Sequence, residues 1–267
     1  MTAPLPPLAP RAWLRWDLVD QLVAELRPAT ILEIGCGQGA MGARLARRAD
    51  YLAVEPDPGS YAVAEARVAA SGGTVLAADH TGVPAGRRYD LVCAFEVLEH
   101  LADDAAAVAD WATLVRPGGH LALSVPAFAR RFGPMDTRVG HYRRYDPDQL
   151  AARLVGAGLV EPRVQVYGWP LGYALEAVRN RLDARHLAAE AGAAEAGAAE
   201  AGAAGAGAAE AGALTPEQRT AASGRHQQPG GGPVGRAIEL ATLPFRYLQR
   251  LAPDRGTGLV AVATRPA

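Results

Sequence analysis

The stretch TILEIGCGQGAMG, residues 30–42, decides the fold. It begins with an apolar run, passes through a turn with closely spaced glycines and continues as a helical pattern, which predicts a β-strand, a tight turn and an α-helix. Glycine lets a ligand approach the backbone, and the first N–H groups of the following helix favour polar or anionic groups. The turn therefore predicts a cradle for a nucleotide-like cofactor, formed by Gly35, Gly37 and Gly39.

Glu33 lies in the predicted strand, where a carboxylate must be hydrogen-bonded or lie at the edge of a site, so we expect it to face the turn. The glycines from 37 to 42 also satisfy G-x-G-x-x-G, a weak indication of dinucleotide binding. The longer string EIGCGQG, residues 33–39, resembles motif I of class I S-adenosylmethionine (SAM)-dependent methyltransferases. This resemblance implies SAM as the cofactor, while a nicotinamide-dependent oxidoreductase stays open as an alternative.

Composition and charge narrow the class of protein. The chain has 267 residues, 49% of them hydrophobic, which suffices for one α/β domain with additions. Its formal net charge of −1 gives no global attraction to nucleic acid, so we predict a small-molecule acceptor and no nucleic-acid partner. The two cysteines indicate no disulfide framework. Because the sequence shows neither an apolar signal region nor a run of transmembrane length, we expect a cytoplasmic protein.

The N-terminal region is predicted to be a disordered tail over residues 1–10, followed by a helix that ends before Pro28. Trp13 and Trp16 on this helix either pack in the core or roof the cofactor pocket, as N-terminal helices often do in the methyltransferase family. We favour core packing for both.

The next two predicted strands each end in residues that we assign to the cofactor. An acid at the tip of the second strand can accept two hydrogen bonds from a ribose diol, so Glu55 is the predicted ribose ligand, with Pro56 beside it. By resemblance to the family, Asp79 contacts the adenine amino group, and its neighbour His80 is assigned to the same site.

YDLVCAFEVLEHL, residues 89–101, resembles motif IV of the same superfamily. Glu96, Glu99 and His100 share one helix face if a helix begins at Glu96. Some methyltransferases with an E-x-x-E-H motif use Mg²⁺ to polarise an acceptor hydroxyl, whereas others have no known metal, and Glu96 stands where the family often contacts cofactor. We therefore assign Glu96 to the cofactor, no residue to a metal, and His100 and His141 as candidate general bases.

Residues 128–146 have little apolar periodicity and five arginines, which predicts a loop or lid on the acceptor side. GHYRRYDPDQL, within this region, resembles a segment of bacterial methyltransferases of the group that includes the ubiquinone-biosynthesis enzymes. Arg143 and Arg144 are either a solvated face or forked donors to an anionic acceptor. Both interpretations stay open.

The C-terminal third departs from the family pattern. Residues 169–187 are amphipathic, and the AGAAE repeats of 188–213 start a frayed or disordered linker that we expect to continue to 233. A second helical pattern follows over 234–251, with Pro244 expected to kink it. These two helices could be a substrate lid, a dimer arm or a membrane-surface element, although ordinary packing on the domain is favoured.

The predicted fold is α/β, a doubly wound, mostly parallel seven-stranded sheet whose last strand is antiparallel. Its predicted parts are the tail 1–10, a SAM-binding core 11–168, a helical insertion 169–256 containing the linker 188–233, and the final strand in 257–267. The predicted function is SAM-dependent methylation of a small acceptor, with O-methylation favoured. Besides the oxidoreductase, a SAM-binding regulatory or membrane-associated module without catalysis stays open.

Overall fold

The computed structural model describes residues 4–203 and 232–267, with side chains for all of them except 193–203. The strands are β1 Thr30–Ile34, β2 Asp50–Val54, β3 Thr74–Leu76, β4 Tyr89–Phe95, β5 Val115–Pro126, β6 Val160–Gly168 and β7 Gly256–Thr264. The helices are α1 Pro10–Leu26, α2 Gly42–Leu45, α3 Pro58–Ala69, α4 Asp104–Leu114, α5 Pro134–Val139, α6 Pro147–Gly156, α7 Leu171–Ala203 and α8 Pro233–Leu248. Short 3₁₀ turns connect several of these elements.

The strands form one seven-stranded sheet in the order β3-β2-β1-β4-β5-β7-β6. Neighbours from β3 to β5 pair in parallel, and β7 lies antiparallel between β5 and β6. The predicted doubly wound sheet with an antiparallel last strand is confirmed. The strand order reverses between β1 and β4, and in such sheets a ligand binds at the carboxyl ends of the strands beside this reversal.

Alternation along the strands builds an apolar core on each side of the sheet. Leu32 and Val92 belong to the core cluster on one face, whereas Ile31 and Leu91 belong to the cluster that contains α1. Because successive side chains of a strand point to opposite faces, Glu33 falls on the α1 side with Ile31.

Of the predicted disordered tail, residues 1–3 lie outside the described residues, and residues 4–10 differ from the prediction. Leu8 is only 2% exposed and belongs to the same core cluster as Trp13, and α1 already begins at Pro10. Burying one leucine stabilises the segment by about 1.5 to 3 kcal/mol, which offsets part of the entropy lost on ordering.

The helical insertion also differs from its prediction. Helix α7 continues to Ala203, so the first repeats after 187 are helical, because alanine is the best helix former and each glycine costs only about 1 kcal/mol. The rest of the predicted linker, 204–231, lies outside the described residues. Helix α7 packs on α5, and α8 packs on α1. Pro244 lies inside α8, and the predicted kink there stays a prediction.

None of the helices in the described ranges combines the length and the apolar character needed to cross a bilayer.

Candidate active site

A cavity of about 680 Å³ opens at the carboxyl ends of β1 and β4, where the strand order reverses. Ligand pockets usually measure roughly 300 to 1,000 Å³, so this cavity has room for a cofactor and part of an acceptor. Its wall is completed by α1 on one side and by Leu175 and Val178 of α7 on another. The predicted site residues that line it are Glu33, Gly35, Gly37, Glu96, His100 and His141.

The glycine turn fits a ligand held close to the backbone. Gly35 and Gly37 have φ of 69° and 55°, a region that side chains with a Cβ rarely adopt. A Cβ on Gly35 would lie 2.8 Å from a Val97 methyl carbon, so no larger residue fits there. Gly39 does not line the cavity, and a Cβ on it would lie 3.0 Å from the Ala64 Cα of α3. This third glycine allows α3 to pack closely against the turn.

Glu55 holds the glycine turn in place from the tip of β2. Its buried carboxylate accepts hydrogen bonds from the Gly37 N–H at 2.7 Å and from the Asp57 N–H at 3.0 Å. Burial raises the pKa of Glu55, and the two backbone hydrogen bonds oppose that shift. A carboxylate can accept about four hydrogen bonds, so Glu55 can still accept two from a ribose diol. Its role as ribose ligand stays a prediction.

Glu55, Pro56, Asp79 and His80 lie outside the cavity lining. The Asp79 carboxylate accepts hydrogen bonds from the backbone N–H and the hydroxyl of Thr81, at 2.8 and 2.6 Å. His80 Nε2 lies 3.4 Å from an Asp110 carboxylate oxygen. Their assignment to the cofactor stays a prediction.

Replacing Glu55 by Ala is expected to weaken SAM binding by about 1.5 to 3 kcal/mol, roughly tenfold or more, because the turn loses the charge-assisted hydrogen bond from the Gly37 N–H to the Glu55 carboxylate. Calorimetric titration with SAM measures the change. Glu65→Ala on α3 is the control, since the Glu65 carboxylate bonds only the exposed hydroxyl of Tyr61 among its described contacts. Equal affinities in both variants would contradict a role of Glu55 in the cofactor site.

Glu33 faces the cavity, as the sequence predicts, and the Tyr51 hydroxyl donates a hydrogen bond to its carboxylate. Burial raises the pKa of Glu33 to about 7, while the Tyr51 hydrogen bond and the charge of Arg15 act in the opposite direction. Glu33 is therefore poised between its two protonation states near neutral pH.

The condition under which Glu96, Glu99 and His100 would share one helix face is not met, because no helix begins at Glu96. Glu96 has φ of 58°, its N–H donates to the Ser124 carbonyl at 2.8 Å, and only Leu98–His100 forms a 3₁₀ turn. Its carboxylate accepts a hydrogen bond from the Ser124 hydroxyl at 2.6 Å and lies 3.2 Å from the Arg15 guanidinium. The hydrogen bonding between β4 and β5 thus continues as far as Glu96. Glu96 is therefore not part of the 3₁₀ turn that contains Glu99 and His100.

His141 and His100 lie together in the cavity, with ring centroids 4.6 Å apart in an edge-to-face arrangement. His141 Nδ1 lies 2.7 Å from a carboxylate oxygen of Asp136. Burial would raise the pKa of Asp136, but hydrogen bonds from His141 and Arg144 outweigh it and lower the pKa to about 2. Burial, reinforced by the nearby His141, lowers the pKa of His100 to about 3. Asp136 is therefore ionised and His100 neutral at physiological pH.

Glu99 lies next to the two histidines and is fully buried. Neither of its carboxylate oxygens has a hydrogen-bond partner among the described residues, and His141 Nε2 lies 3.8 Å from one of them. Burial and the nearby Glu96 raise the pKa of Glu99 well above its usual range. One ligand atom each from Glu99, His100 and His141 lie within 4.8 Å of one another, an arrangement whose donors suit a divalent cation.

Arg143 and Arg144 do not face the cavity, which corrects their interpretation as donors to an acceptor. The Arg144 side chain is fully buried and forms ion pairs with Asp136 at 2.7 Å and Glu176 at 2.9 Å. Arg143 forms an ion pair with Asp104 at 3.0 Å. Both guanidinium groups are already used by carboxylates of the protein.

Three residues of this site were not predicted from the sequence: Arg11, Arg15 and Asp136. Arg11 and Arg15 line the cavity from α1, where their i, i+4 spacing places them on one helix face. Asp136 stands five residues before His141. Spacing within α1 could have found the arginine pair, whereas nothing in the local pattern singles out Asp136.

Comparisons with known proteins identify the family of this chain. Residues 9–160, more than half of the chain, match the family model described as methyltransferase domain. A ubiquinone biosynthesis O-methyltransferase of Leptothrix cholodnii is 33% identical over 117 residues, which cover 42% of this chain and 50% of the relative. The enzyme of the same name from Alkalilimnicola ehrlichii is 36% identical over 119 residues, covering 42% and 47%. The chain thus spans about half the length of these curated relatives.

A solved structure supports the fold alone. A putative sarcosine dimethylglycine methyltransferase from Galdieria sulphuraria has a TM-score of 0.52 and 13% identity, over 94% of this chain and 84% of that one. The family match favours the methyltransferase prediction over the nicotinamide-dependent oxidoreductase. The chain therefore belongs to the methyltransferase domain family.

Proposed function

We propose that this enzyme methylates a hydroxyl group of a small anionic acceptor, with His141 as the general base and Asp136 as its positioning residue. S-adenosylmethionine supplies an electrophilic methyl group when bound. The glycine turn, Glu33 and Glu55 hold the cofactor in this proposal, and the protein aligns the acceptor with it, a contribution that can reach several kcal/mol. Both curated relatives are O-methyltransferases, which supports oxygen as the methylated atom.

The contact between His141 and Asp136 is the observation that carries the proposal. The Asp136 carboxylate is ionised and can only accept, so His141 Nδ1 donates its proton in the 2.7 Å hydrogen bond. Nε2 of a neutral His141 then carries the free lone pair. It would accept the proton of the acceptor hydroxyl while the hydroxyl oxygen takes the methyl group, with S-adenosylhomocysteine as the leaving group. His100 has a pKa of about 3 and is a much weaker base.

Arg11 supports an anionic acceptor. It lines the cavity, and its described hydrogen bonds are long ones, to the Met135 sulfur at 3.7 Å and the Thr257 carbonyl at 3.5 Å. No carboxylate forms an ion pair with Arg11 in the described part of the chain, whereas Arg15 is paired with Glu96. A carboxylate or phosphate of the acceptor would give Arg11 the forked partner that it lacks.

A divalent cation is a second candidate for activation of the hydroxyl. The observation in its favour is Glu99, a buried carboxylate whose two oxygens have no hydrogen-bond partner among the described residues, next to His100 and His141. A cation on these three residues would satisfy Glu99 and lower the pKa of an acceptor hydroxyl. It would also use His141 as a ligand, so the two mechanisms exclude each other.

The test is release of S-adenosylhomocysteine across a panel of phenols and aliphatic alcohols, each with and without a carboxylate, before and after treatment with EDTA. We expect turnover with carboxylate-bearing hydroxyl compounds, unaffected by EDTA, and a methyl ether in the mass spectrum of the product. Loss of activity in EDTA that Mg²⁺ restores would favour the metal. Methylation of amines alone would contradict O-methylation, and SAM binding without release of product would favour a non-catalytic module.

A further inference from the structure

A second cavity, of about 850 Å³, lies on the other side of α1. Trp13 and Trp16 of α1 line it, whereas Arg11 and Arg15 of the same helix line the active-site cavity. The N-terminal part of α8 closes the second cavity. The two cavities share no lining residue, so the second one is a separate compartment. Trp13 and Trp16 are buried in the core, as favoured from the sequence, and they do not roof the cofactor cavity.

The lining of this second cavity is strongly basic. It contains two carboxylate residues, Asp20 and Glu239, against five arginines, although the chain as a whole is nearly neutral. The arginines are Arg44, Arg47, Arg48, Arg236 and Arg246. Such a concentration of one charge in a concave site attracts anions.

Arg44 is the buried centre of this group. Its residue is 6% exposed, its guanidinium donates to the carbonyls of Pro6 and Ala40 at 2.8 Å each, and it lies 4.8 Å from the centroid of the Trp13 ring. No carboxylate forms an ion pair with it in the described ranges. Burial lowers the pKa of Arg44 to about 10, an effect that Glu239 opposes and Arg47 reinforces. A buried positive charge without a paired anion is costly, and a bound anion would remove that cost.

Two further polar atoms of the lining residues are buried without a hydrogen-bond partner among the described residues, although the one in Arg246 lies 3.5 Å from a carboxylate oxygen of Asp17, with which it forms an ion pair. They are Nε1 of Trp13 and Nε of Arg246, and both carry a hydrogen that they can only donate. Arg246 lies 5.4 Å from the Trp13 ring centroid, so guanidinium groups of Arg44 and Arg246 both flank one indole. The cavity therefore presents hydrogen-bond donors that lack acceptors. Because its lining carries an excess of positive charge, the best acceptor is a negatively charged group.

We propose that the cavity is a second ligand site, which binds the phosphate or diphosphate group of a small molecule. Guanidinium groups bind phosphate oxygens in forked pairs, and several of them together suit a group with many acceptor oxygens better than a single carboxylate. The cavity volume leaves room for an organic moiety attached to the phosphate.

The test is calorimetric titration of inorganic pyrophosphate into the full chain saturated with S-adenosylhomocysteine, so that the active-site cavity is blocked. We expect saturable one-site binding that weakens with added salt. Arg236→Glu is expected to raise the dissociation constant at least about tenfold, because Arg236 is exposed in α8 and contributes charge without holding the fold. Arg246→Gln provides a second variant, and Arg88→Glu, at an exposed position outside the cavity, is the matched control.

Three results would overturn the proposal: no pyrophosphate binding by the saturated enzyme, binding that S-adenosylhomocysteine abolishes, or equal weakening in Arg236→Glu and Arg88→Glu. Vesicles of phosphatidylcholine with and without phosphatidylglycerol distinguish a soluble phosphate from a lipid headgroup. Binding to anionic vesicles without binding of pyrophosphate would show a charged surface rather than a cavity site, and would contradict the proposal. Failure of this site leaves the proposed methyl transfer untouched, because the two cavities share no lining residue.

Discussion

Replacing His141 by Ala is expected to lower turnover about a hundredfold while SAM affinity stays within about twofold. The physical reason is that Nε2 of His141 is the acceptor for the hydroxyl proton, while Asp136 holds the ring through Nδ1 at 2.7 Å. The glycine turn and Glu55, which hold the cofactor in this proposal, are not touched by the change. Single-turnover release of S-adenosylhomocysteine and calorimetric titration with SAM measure the two quantities separately.

His186→Ala is the matched control, because His186 is exposed on α7 and does not line the cavity. Full turnover in both His141→Ala and His100→Ala, with EDTA present, would contradict the proposed general base and the alternative metal. Alignment of the two reactants would then account for catalysis by itself. A large loss of SAM affinity in His141→Ala would show instead that the residue shapes the cofactor site.

Replacing Arg144 by Met is expected to lower the free energy of unfolding by about 3 to 5 kcal/mol. Arg144 is fully buried between the carboxylates of Asp136 and Glu176, which are themselves 0% and 3% exposed as side chains. Removing the guanidinium takes away the one positive charge that both buried carboxylates share, so that Glu176 keeps Arg131 at 2.7 Å and Asp136 keeps the His141 imidazole at 2.7 Å. Urea denaturation measures the loss.

Arg143→Met is the neighbouring control, with an expected loss of about 1 kcal/mol or less, because the Arg143 side chain is 32% exposed. Its partner Asp104 also keeps Arg153 at 3.2 Å. Equal losses in the two variants would contradict the expected cost of leaving the buried carboxylates of Asp136 and Glu176 without Arg144.

Residues 30–42 show which structural features can be predicted from neighbouring residues in the sequence. Positive φ at Gly35, Gly37 and Gly39 follows from the spacing of the glycines, since only glycine adopts that region without strain. The strand before the turn follows from its apolar run. Such features depend on neighbours in the chain, so they can be predicted from one sequence. The same holds for the final strand, which its composition and its place after the last helix identified.

Glu96 is a residue whose conformation could not be predicted from its neighbours in the sequence. Its spacing to Glu99 and His100 favours a helix face, yet its backbone is left-handed and its carboxylate bonds Ser124, 28 residues away. The pairing of β4 with β5 outweighs the helical spacing at this point. As a result the cluster that could hold a cation contains His141 in place of Glu96.

The glycine cradle, the sheet and the family were determined by the sequence itself, because they rest on short-range spacing and on apolar periodicity. The roles of the arginines were decided only by the tertiary structure. Arg143 and Arg144 are adjacent in sequence, yet one is partly exposed and the other is fully buried against Glu176, 32 residues further along the chain. An arginine side chain is long and flexible, so its partner is set by whichever element packs beside it, and no pattern in the neighbouring residues encodes that choice.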